Sequence, residues 1–320
     1  MNLLASLRYL VALSEHRHFG RAAQACHITQ PALSNALKAL EREFGVVIVK
    51  RGRQYAGLTP EGERVVATAQ RMVHEHQLLQ QELESEAGRP RGPLRIGAVP
   101  TAMPVLARFA AWLRARHPGV VPAVLSLSSA ELEAGLEALG LDLALGYTDR
   151  MQLQASALQA WPQYVEHYFL LRRAARPGAR ELRIGPPLRW RDAAGLPLAM
   201  LTPEMHNRTI VDSAFVTAGQ PVRPALETNS ILALALAVVA GDVCAVMPGA
   251  LVGAVRGYRE LEALPLVEPT VRTPIGFMAP AGVRPSRALE AALGLAVDAA
   301  WLRHAALHSG QLRAELPFKA

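Results

Sequence analysis

The 320-residue sequence predicts an α/β protein with an N-terminal winged helix-turn-helix, a long linker helix and a larger C-terminal region of two α/β subdomains. Three observations lead to this prediction. Leucines recur at helical spacing in the first 45 residues, the segment 63–87 contains neither glycine nor proline, and six apolar strand-like runs follow a hinge rich in both.

The charge of the chain is concentrated at its N-terminal end. Residues 1–60 carry eight Lys or Arg against three Glu, a net charge of +5, whereas residues 61–88 carry six Glu against two Arg, a net charge of −4. Because 51% of all residues are apolar, a substantial core can form. A basic end suits a polyanionic partner without proving one.

The compartment is predicted from cysteine usage and from the apolar runs. The two cysteines, Cys26 and Cys244, lie far apart and form no disulfide framework. No secretory signal pattern opens the chain, and the longest apolar run, 231–240, is too short to span a bilayer. We therefore expect a cytoplasmic protein without a membrane partner.

The first 45 residues predict three helices. The third helix begins at a Thr29 cap with Pro31 in its first turn, and Gly45 provides its stop. Apolar residues at helical spacing form the buried stripes of the three helices: Leu3, Leu7 and Leu10; Phe19, Ala22, Ala23 and Cys26; Leu33, Leu37, Leu40 and Phe44. We interpret Cys26 as a small buried hydrophobe rather than a redox thiol.

The third helix carries a polar face opposite its leucines. Gln30, Ser34, Asn35 and Lys38 supply hydrogen-bonding groups and a cation of the kind that read base edges and hold phosphates in a major groove. An ordinary solvated face is the alternative. The preceding short helix and tight turn favour DNA binding, because this is the order of elements in a helix-turn-helix.

A small hairpin is predicted after the third helix. The β-branched run Val46–Val49 leads into a basic tip, in which Arg51 and Arg53 can hold phosphate or enter the minor groove. Surface arginines without a partner are the alternative.

The long helix after Thr59 predicts a dimer. Its apolar seam is spaced alternately by four and three residues: Val65, Ala69, Met72, His76, Leu79 and Leu83. Such a stripe needs a partner helix, and we expect the same helix of a second copy. Packing against the rest of its own chain is the alternative.

The C-terminal region predicts parallel sheets covered by helices, from the apolar runs 94–99, 121–127, 141–145, 198–201, 243–247 and 275–278. Ligands bind at the carboxyl ends of such strands. The candidate ligand-binding residues at these ends are Pro100, Thr101, Ser128, Ser129, Tyr147, Thr202, His206, Asn229 and Met247. Free amides at helix starts favour a small anion, which we expect to be a carboxylate. Plain helix capping is the alternative for the hydroxyl groups.

Several stretches make the chain resemble one known family. HFGRAAQACHITQPALSNALKALEREFG, VKRGR and LTPEGE resemble the DNA-binding domain of LysR-type transcriptional regulators. This resemblance assigns Gln30, Pro31, Ser34 and Asn35 to DNA reading. The family pattern Leu-Phe-x-Arg is replaced by Ile48-Val49-Lys50-Arg51, so the aromatic residue beneath the wing is absent.

The C-terminal half resembles the effector-binding domain of the same family, which is similar to periplasmic binding proteins. GPLRIGAVPTAMP and LETNSILALALAVVAGDVCAVMPG carry this likeness. The resemblance implies double-stranded DNA and a small-molecule effector as partners, dimers through the linker helix and homotetramers, and it leaves contact with RNA polymerase open. The expected domains are 1–59, the linker 60–88, the hinge 89–93, the effector-binding domain 94–308 and a tail 309–320. The effector-binding domain is expected to divide into subdomains 94–162 with 270–302, and 163–269.

Motifs of common enzymes are absent from the sequence. It has no Gly-x-Ser-x-Gly elbow, phosphate-binding loop, His-Glu-x-x-His or dinucleotide-binding glycine motif. We therefore expect no catalytic residues, metal site or cofactor. A ligand-binding enzyme or solute receptor with an appended helical domain is the rival interpretation.

Overall fold

The computed structural model describes residues 2–50, 52, 55–84, 89–150, 158–178 and 180–308. The chain divides into two compact units, an N-terminal unit and a sensor unit that begins at Arg89. Arg51, Arg53 and the predicted tail 309–320 lie outside the described residues.

Three short helices open the N-terminal unit: α1 (Leu3–His16), α2 (Phe19–Ala25) and α3 (Gln30–Phe44). The Thr29 hydroxyl accepts the Ala32 N–H over 3.4 Å and caps α3. Gly45 ends this helix at φ +66°, a conformation that glycine adopts without strain. Both ends of α3 therefore lie where the sequence predicts them.

The segment after α3 forms less β-structure than predicted. Instead of a regular hairpin, the described residues contain one antiparallel pair, Val49 with Leu58. The Lys50 N–H donates to the Gly57 carbonyl over 3.0 Å. Ile48 is fully buried against the helices, so this run is held by the helical core more than by strand pairing.

The long helix α4 (Pro60–Glu84) packs partly against its own chain. Val66, Ala69 and Val73 are buried in one cluster with the leucines of α1 and α3. Ala69 therefore does not belong to a free seam, which corrects part of the prediction. The remaining apolar seam residues Met72, Leu79 and Leu83 are 45%, 55% and 78% exposed.

The sensor unit contains two sheets. The first has the strand order β2-β1-β3-β12-β4. Its strands are β1 (Gly92–Ala98), β2 (Val120–Ser126), β3 (Leu143–Tyr147), β4 (Leu158–Glu166) and β12 (Thr273–Pro280). β1 pairs in parallel with β2 and β3, whereas β12 is antiparallel to β3 and β4. The prediction of parallel sheets is therefore wrong for this sheet. The chain returns to it as β12, which runs antiparallel to both of its neighbours.

The second sheet has the order β6-β11-β5-β10-β8-β9, with β7 paired to β11. Its strands are β5 (Tyr168–Arg173), β6 (Arg183–Ile184), β7 (Leu188–Arg189), β8 (Leu198–Leu201), β9 (Leu226–Thr228), β10 (Cys244–Pro248) and β11 (Leu261–Val267). This sheet is also mixed, because β5 is antiparallel to β10 and β11.

Helices of the sensor unit connect and cover these strands. They are α5 (Met103–Arg116), α6 (Ser129–Glu137), α7 (Trp190–Ala193), α8 (His206–Thr217), α9 (Ile231–Ala240), α10 (Gly249–Ala254), α11 (Arg287–Ala296) and α12 (Ala299–His308). A short 3-10 turn, Pro100–Ala102, follows β1. None of the described helices is long and apolar enough to cross a membrane.

The chain crosses between the two sheets twice. It leaves the first sheet at His167, between β4 and β5, and returns between Val267 and Thr273. The predicted boundary at 162/163 falls inside β4, so the first crossing lies four residues later. Pro162 is accommodated because β4 is an edge strand, where a missing N–H is tolerated. Each sheet has its own apolar core on at least one face.

Candidate nucleic-acid interface and ligand cleft

Helix α3 separates a buried face from a polar one. Leu33, Leu37 and Leu40 are buried, whereas Gln30, Pro31, Asn35 and Lys38 are exposed and Ser34 is half-buried. Thr29 serves as the helix cap, so its hydroxyl is already engaged with the backbone.

Part of the predicted DNA-binding set lines one groove. Ser34, Asn35 and Lys38 face a groove of about 1040 Å³ between α3 and the following segment, together with Arg42 and Lys50. Three cationic side chains therefore surround two hydrogen-bonding ones, an arrangement suited to phosphates flanking base edges. Gln30 lies apart from this groove, with its amide oxygen near Gly20 in α2.

A glutamate that the sequence does not single out positions the segment beside this groove. The Glu41 carboxylate accepts the Ile48 N–H over 2.8 Å and the Val49 N–H over 3.1 Å. On the other side, the Thr59 hydroxyl donates to the Val47 carbonyl over 2.6 Å. These bonds fix the backbone that leads to Lys50.

A second candidate site is a cleft between the two sensor subdomains. It is lined by Pro100, Thr101, Ser128, Ser129, Tyr147 and His206 of the predicted set. Val99, Leu201, Met205 and Asn207 complete its wall. Its free space is about 10 Å³, which is room for about one water molecule.

Three predicted ligand-binding residues do not line this cleft. Met247 is fully buried in the core of the second sheet, because alternate residues of β10 point to opposite faces. The Thr202 hydroxyl donates to Glu204 over 2.7 Å, and Asn229 is exposed just before α9. All three lie at or just after strand ends, as predicted, but the structure places them outside the wall of this cavity.

Hydrogen bonds join the cleft to a buried polar cluster at the crossing between the sheets. The hydroxyls of Thr101 and Tyr147 lie 2.9 Å apart, and Asn207 donates over 3.5 Å to the hydroxyls of both Tyr147 and Tyr168. Tyr168 in turn lies 3.1 Å from the Thr273 hydroxyl, across the two sheets. Tyr147 and Asn207 therefore belong to both the cavity wall and the cluster.

Glu166 is the acid of this polar cluster. It is the last residue of β4 and 0% exposed, and within the described chain neither of its carboxylate oxygens has a hydrogen-bond partner. Burial raises the pKa of Glu166 to about 8, against a smaller opposing effect of the nearby Tyr164 hydroxyl. The carboxyl is therefore mainly protonated at pH 7.

The described side chains that line the cleft carry no positive charge, so the carboxylate ligand expected from the sequence would depend on backbone amides and hydroxyl groups alone. At the start of α6, Glu131 already accepts the Ser128 N–H over 2.8 Å and the Ser128 hydroxyl proton over 2.7 Å. Burial lowers the pKa of His206, which keeps its ring neutral at pH 7. The described wall residues thus offer no positive charge to a buried anion.

His206 also faces an open groove of about 560 Å³ outside the cleft. Arg150 and Arg272 lie at this groove together with Asp149. Arg150 is 3.4 Å from Glu133, so part of its charge is compensated.

Two protein families match the chain. Residues 4–63 match the bacterial regulatory helix-turn-helix proteins of the lysR family, and residues 87–301 match the LysR substrate binding domain. The SDS degradation transcriptional activation protein of Pseudomonas sp. (strain ATCC 19151) is 31% identical over 314 residues, which cover 93% of this chain and 96% of that protein. The dual regulator OxyR of Escherichia coli K12 is 40% identical over 103 residues, 32% of this chain and 34% of OxyR.

Solved structures resemble the chain over nearly its whole length. A full-length OxyR variant from Pseudomonas aeruginosa has a TM-score of 0.66 at 25% identity, covering 91% of this chain and 96% of that one. Full-length CbnR in complex with its target DNA has a TM-score of 0.62 at 20% identity, covering 95% and 99%. The chain therefore belongs to the LysR family, whose members regulate transcription by binding DNA through the helix-turn-helix domain and a small-molecule effector through the C-terminal domain.

Proposed function

We propose that the polar face of α3 reads the operator and that the segment after it holds the DNA backbone. The supporting observation is the groove in which Ser34 and Asn35 lie beside Lys38, Arg42 and Lys50. Asparagine pairs with adenine in the major groove, and lysines neutralise phosphates. Gln30, Pro31, Arg51 and Arg53 remain part of this proposal, with Thr29 capping the reading helix.

Dimerisation through α4 is the second part of the proposal. Met72, Leu79 and Leu83 leave an exposed apolar stripe after Val66, Ala69 and Val73 have packed inside the chain. Helix α4 thus packs one face against its own chain and leaves another for a second copy. The α4 helix of that copy carries the same stripe, so the two helices form an isologous contact.

A tetramer requires a second kind of contact between copies. Leu232 and Leu236 are exposed four residues apart on α9, a helix without any charged residue. A second copy of the sensor unit is the occupant we propose for this face, since two different two-fold contacts build a closed tetramer.

The cleft between the sensor subdomains is proposed as the effector site. Its wall combines residues that follow β1 and β2, and the last residue of β3, with residues at the start of α8, so a ligand there contacts both subdomains. The cavity must widen to admit any effector, which couples binding to subdomain movement. The carboxylate predicted from sequence is not retained, for the reasons of charge given above.

Peroxide sensing is not proposed for this chain, although a relative from Pectobacterium carotovorum that is 40% identical over 103 residues is named hydrogen peroxide-inducible genes activator. The 40% identity with OxyR covers one third of that protein. Burial raises the pKa of both Cys26 and Cys244, which keeps these thiols protonated and slow to react.

Transcriptional activation is part of the proposal, with RNA polymerase as a further partner. It is supported by the name of the SDS degradation transcriptional activation protein, which the chain matches over nearly its whole length. A role on the chromosome also supports the proposed cytoplasmic location.

A gel-shift assay with the DNA upstream of the protein's own gene tests DNA reading. Asn35→Ala is expected to weaken specific binding by about 1–3 kcal/mol, with little effect on random DNA. Lys50→Ala should weaken binding to the operator and to random DNA alike. It should also reduce the slope of log affinity against log salt concentration by about one. Gln24→Ala, an exposed change on α2, is the control. Unchanged operator affinity in a Ser34→Ala/Asn35→Ala double variant would show that another surface reads the DNA.

A further inference from the structure

A buried, poorly compensated acid lies next to the proposed effector cleft. In the described chain, neither the Glu166 oxygens nor the Tyr164 hydroxyl have a partner with good hydrogen-bond geometry, although both residues are buried. The neighbouring Tyr164 hydroxyl does favour the ionised carboxyl, but less strongly than burial opposes it. A polar group left without a well-formed hydrogen bond in a protein interior costs free energy. Glu166 therefore has only weak compensation from the described residues.

The groups around Glu166 do not provide a compensating positive charge. Tyr147 on β3, Tyr164 on β4 and Tyr168 on β5 lie near it; burial raises the pKa of all three hydroxyls, and negative charge on Glu166 would raise it further. Asp149 adds further negative charge near Tyr147 and Tyr168. His167 and His206 have pKa values lowered by burial, so both rings are neutral at pH 7.

Two arginines of the sensor unit, Arg150 and Arg272, lie at the open groove next to His206 rather than in the polar cluster. Arg272 influences His167 rather than Glu166. The Tyr164 hydroxyl is the described group that favours the ionised form of Glu166, and it is outweighed by burial.

Asn207 and Tyr147 connect this acid to the cleft. Both residues line the cavity, and both belong to the polar cluster around Glu166. The Asn207 amide reaches the hydroxyls of Tyr147 and Tyr168 only at 3.5 Å, the upper limit for a hydrogen bond. A ligand that widens the cleft can displace these weak contacts at small cost.

We propose that Glu166, together with the hydroxyls and rings of Tyr164 and Tyr168, binds a positively charged nitrogen of the effector, an ammonium or amidinium group. A cation and the ionised carboxylate form a neutral pair inside the protein, whereas an anion would remain uncompensated there. Tyrosine rings add attraction for a cation. This inference rests on the cleft being the effector site.

The test compares three probes that share one carbon chain: butylamine, butanol and butyrate. All four tryptophans, Trp112, Trp161, Trp190 and Trp301, lie in the sensor unit, so their fluorescence reports the melting of this unit in the full-length protein. We expect butylamine alone to raise the melting temperature, because it binds the folded state. The gain should disappear in Glu166→Gln and persist in Glu204→Gln, which makes the same change at an exposed site near the cleft.

Calorimetry in buffers of different ionisation enthalpy supplies a second readout. Because Glu166 must lose its proton to pair with the amine, binding at pH 7 should release about one proton, and affinity should rise about tenfold per pH unit between pH 6 and 7. The Glu166→Gln variant should show neither effect.

Other outcomes separate this inference from the proposed function. Stabilisation by butyrate or butanol that Ser129→Phe abolishes would retain the cleft as the effector site but overturn the positive charge of the effector. An amine effect that survives in Glu166→Gln would also overturn the inference. No stabilisation by any of the three probes would overturn it as well, while operator binding in the gel shift would keep the regulatory function.

Discussion

At the residue scale, single carboxylates organise both candidate sites. Glu41 uses one oxygen to accept two backbone N–H groups, which are the only described link between its side chain and the segment that follows α3. Glu166 instead lies among hydroxyls without a bond of its own. Glu41 therefore supports the structure of the following segment, whereas Glu166 has no well-formed hydrogen bond and is the residue proposed to bind a ligand.

Glu41→Ala should weaken operator binding although it removes a negative charge near DNA. The loss leaves the Ile48 and Val49 N–H groups without their acceptor, at a cost of about 1–3 kcal/mol, and loosens the segment that carries Lys50. Glu43→Ala removes the same charge from an exposed position of α3. Affinity relative to this control, together with hydrogen exchange at Ile48 and Val49, measures the effect. Equal affinities and equal exchange in the two variants would contradict it.

The buried acid predicts a pH dependence of stability. The pKa of Glu166 is about 8 in the folded state but ordinary in the unfolded state, so folding retains a proton that the unfolded chain loses above about pH 4.5. The free energy of unfolding of the wild type, minus that of Glu166→Gln, should therefore fall by about 1.4 kcal/mol per pH unit from pH 5 towards pH 8. Above pH 8 this difference should stay level.

Urea unfolding followed by tryptophan fluorescence measures this difference at each pH. Burial lowers the pKa of His167 and of His206, but both histidines are present in both proteins, so their contributions cancel in the comparison. Glu204→Gln is the control, because hydrogen bonding from Thr202 lowers the pKa of Glu204 and keeps its titration below pH 5. A constant difference between wild type and Glu166→Gln would show that Glu166 is ionised in the folded protein.

At the element scale, helices were easier to predict than strands. The ends of α3 follow from Thr29, Pro31 and Gly45, residues that act within their own turn. β5 and β11 were missed because charged residues interrupt them: Glu262 on β11 lies between Arg172 and Arg183 in paired strands. Such ion pairs join residues about 80 to 90 positions apart, and no local pattern reveals them.

The candidate sites show the same division. The cleft residues that follow β1 and β2, and Tyr147 at the end of β3, are predictable from sequence because strand ends mark the rim of a sheet. The positions of Asn207 and Glu166 beside the cleft cannot be predicted from sequence, because they depend on where the chain crosses between the two sheets. His76 was assigned to the seam from its spacing, yet its ring lies 3.0 Å from the Arg8 guanidinium of α1 in the same chain.

Helix α4 gives a prediction about the dimer. Met72→Glu should raise the dimer dissociation constant by at least about tenfold, because it places a charge in the proposed interhelical contact. Gln77→Glu adds the same charge at an exposed position outside the stripe and should leave the dimer intact. Sedimentation velocity of the full-length variants, with circular dichroism to verify folding, decides between them. Equal dissociation constants would rule out this stripe as the contact.

At the scale of the whole molecule, different faces of the chain have different proposed partners. The groove of α3 is lined by Lys38, Arg42 and Lys50, which suits DNA, whereas the stripe of α4 and the outer face of α9 are apolar, which suits copies of the same protein. Because α4 and α9 belong to separate units, one contact can be lost without the other. A tetramer built in this way should therefore come apart in a defined order.

Leu236→Glu tests that order. The charge should separate the sensor contact while leaving the α4 contact in place, so the tetramer becomes a dimer that still binds DNA. Val216→Glu introduces the same charge at an exposed valine of α8 and should remain tetrameric. Sedimentation velocity gives the assembly size, and nuclease footprinting should show a protected region about half as long, because a dimer covers one pair of half-sites. A tetramer in Leu236→Glu, or a monomer, would place the second contact on another surface.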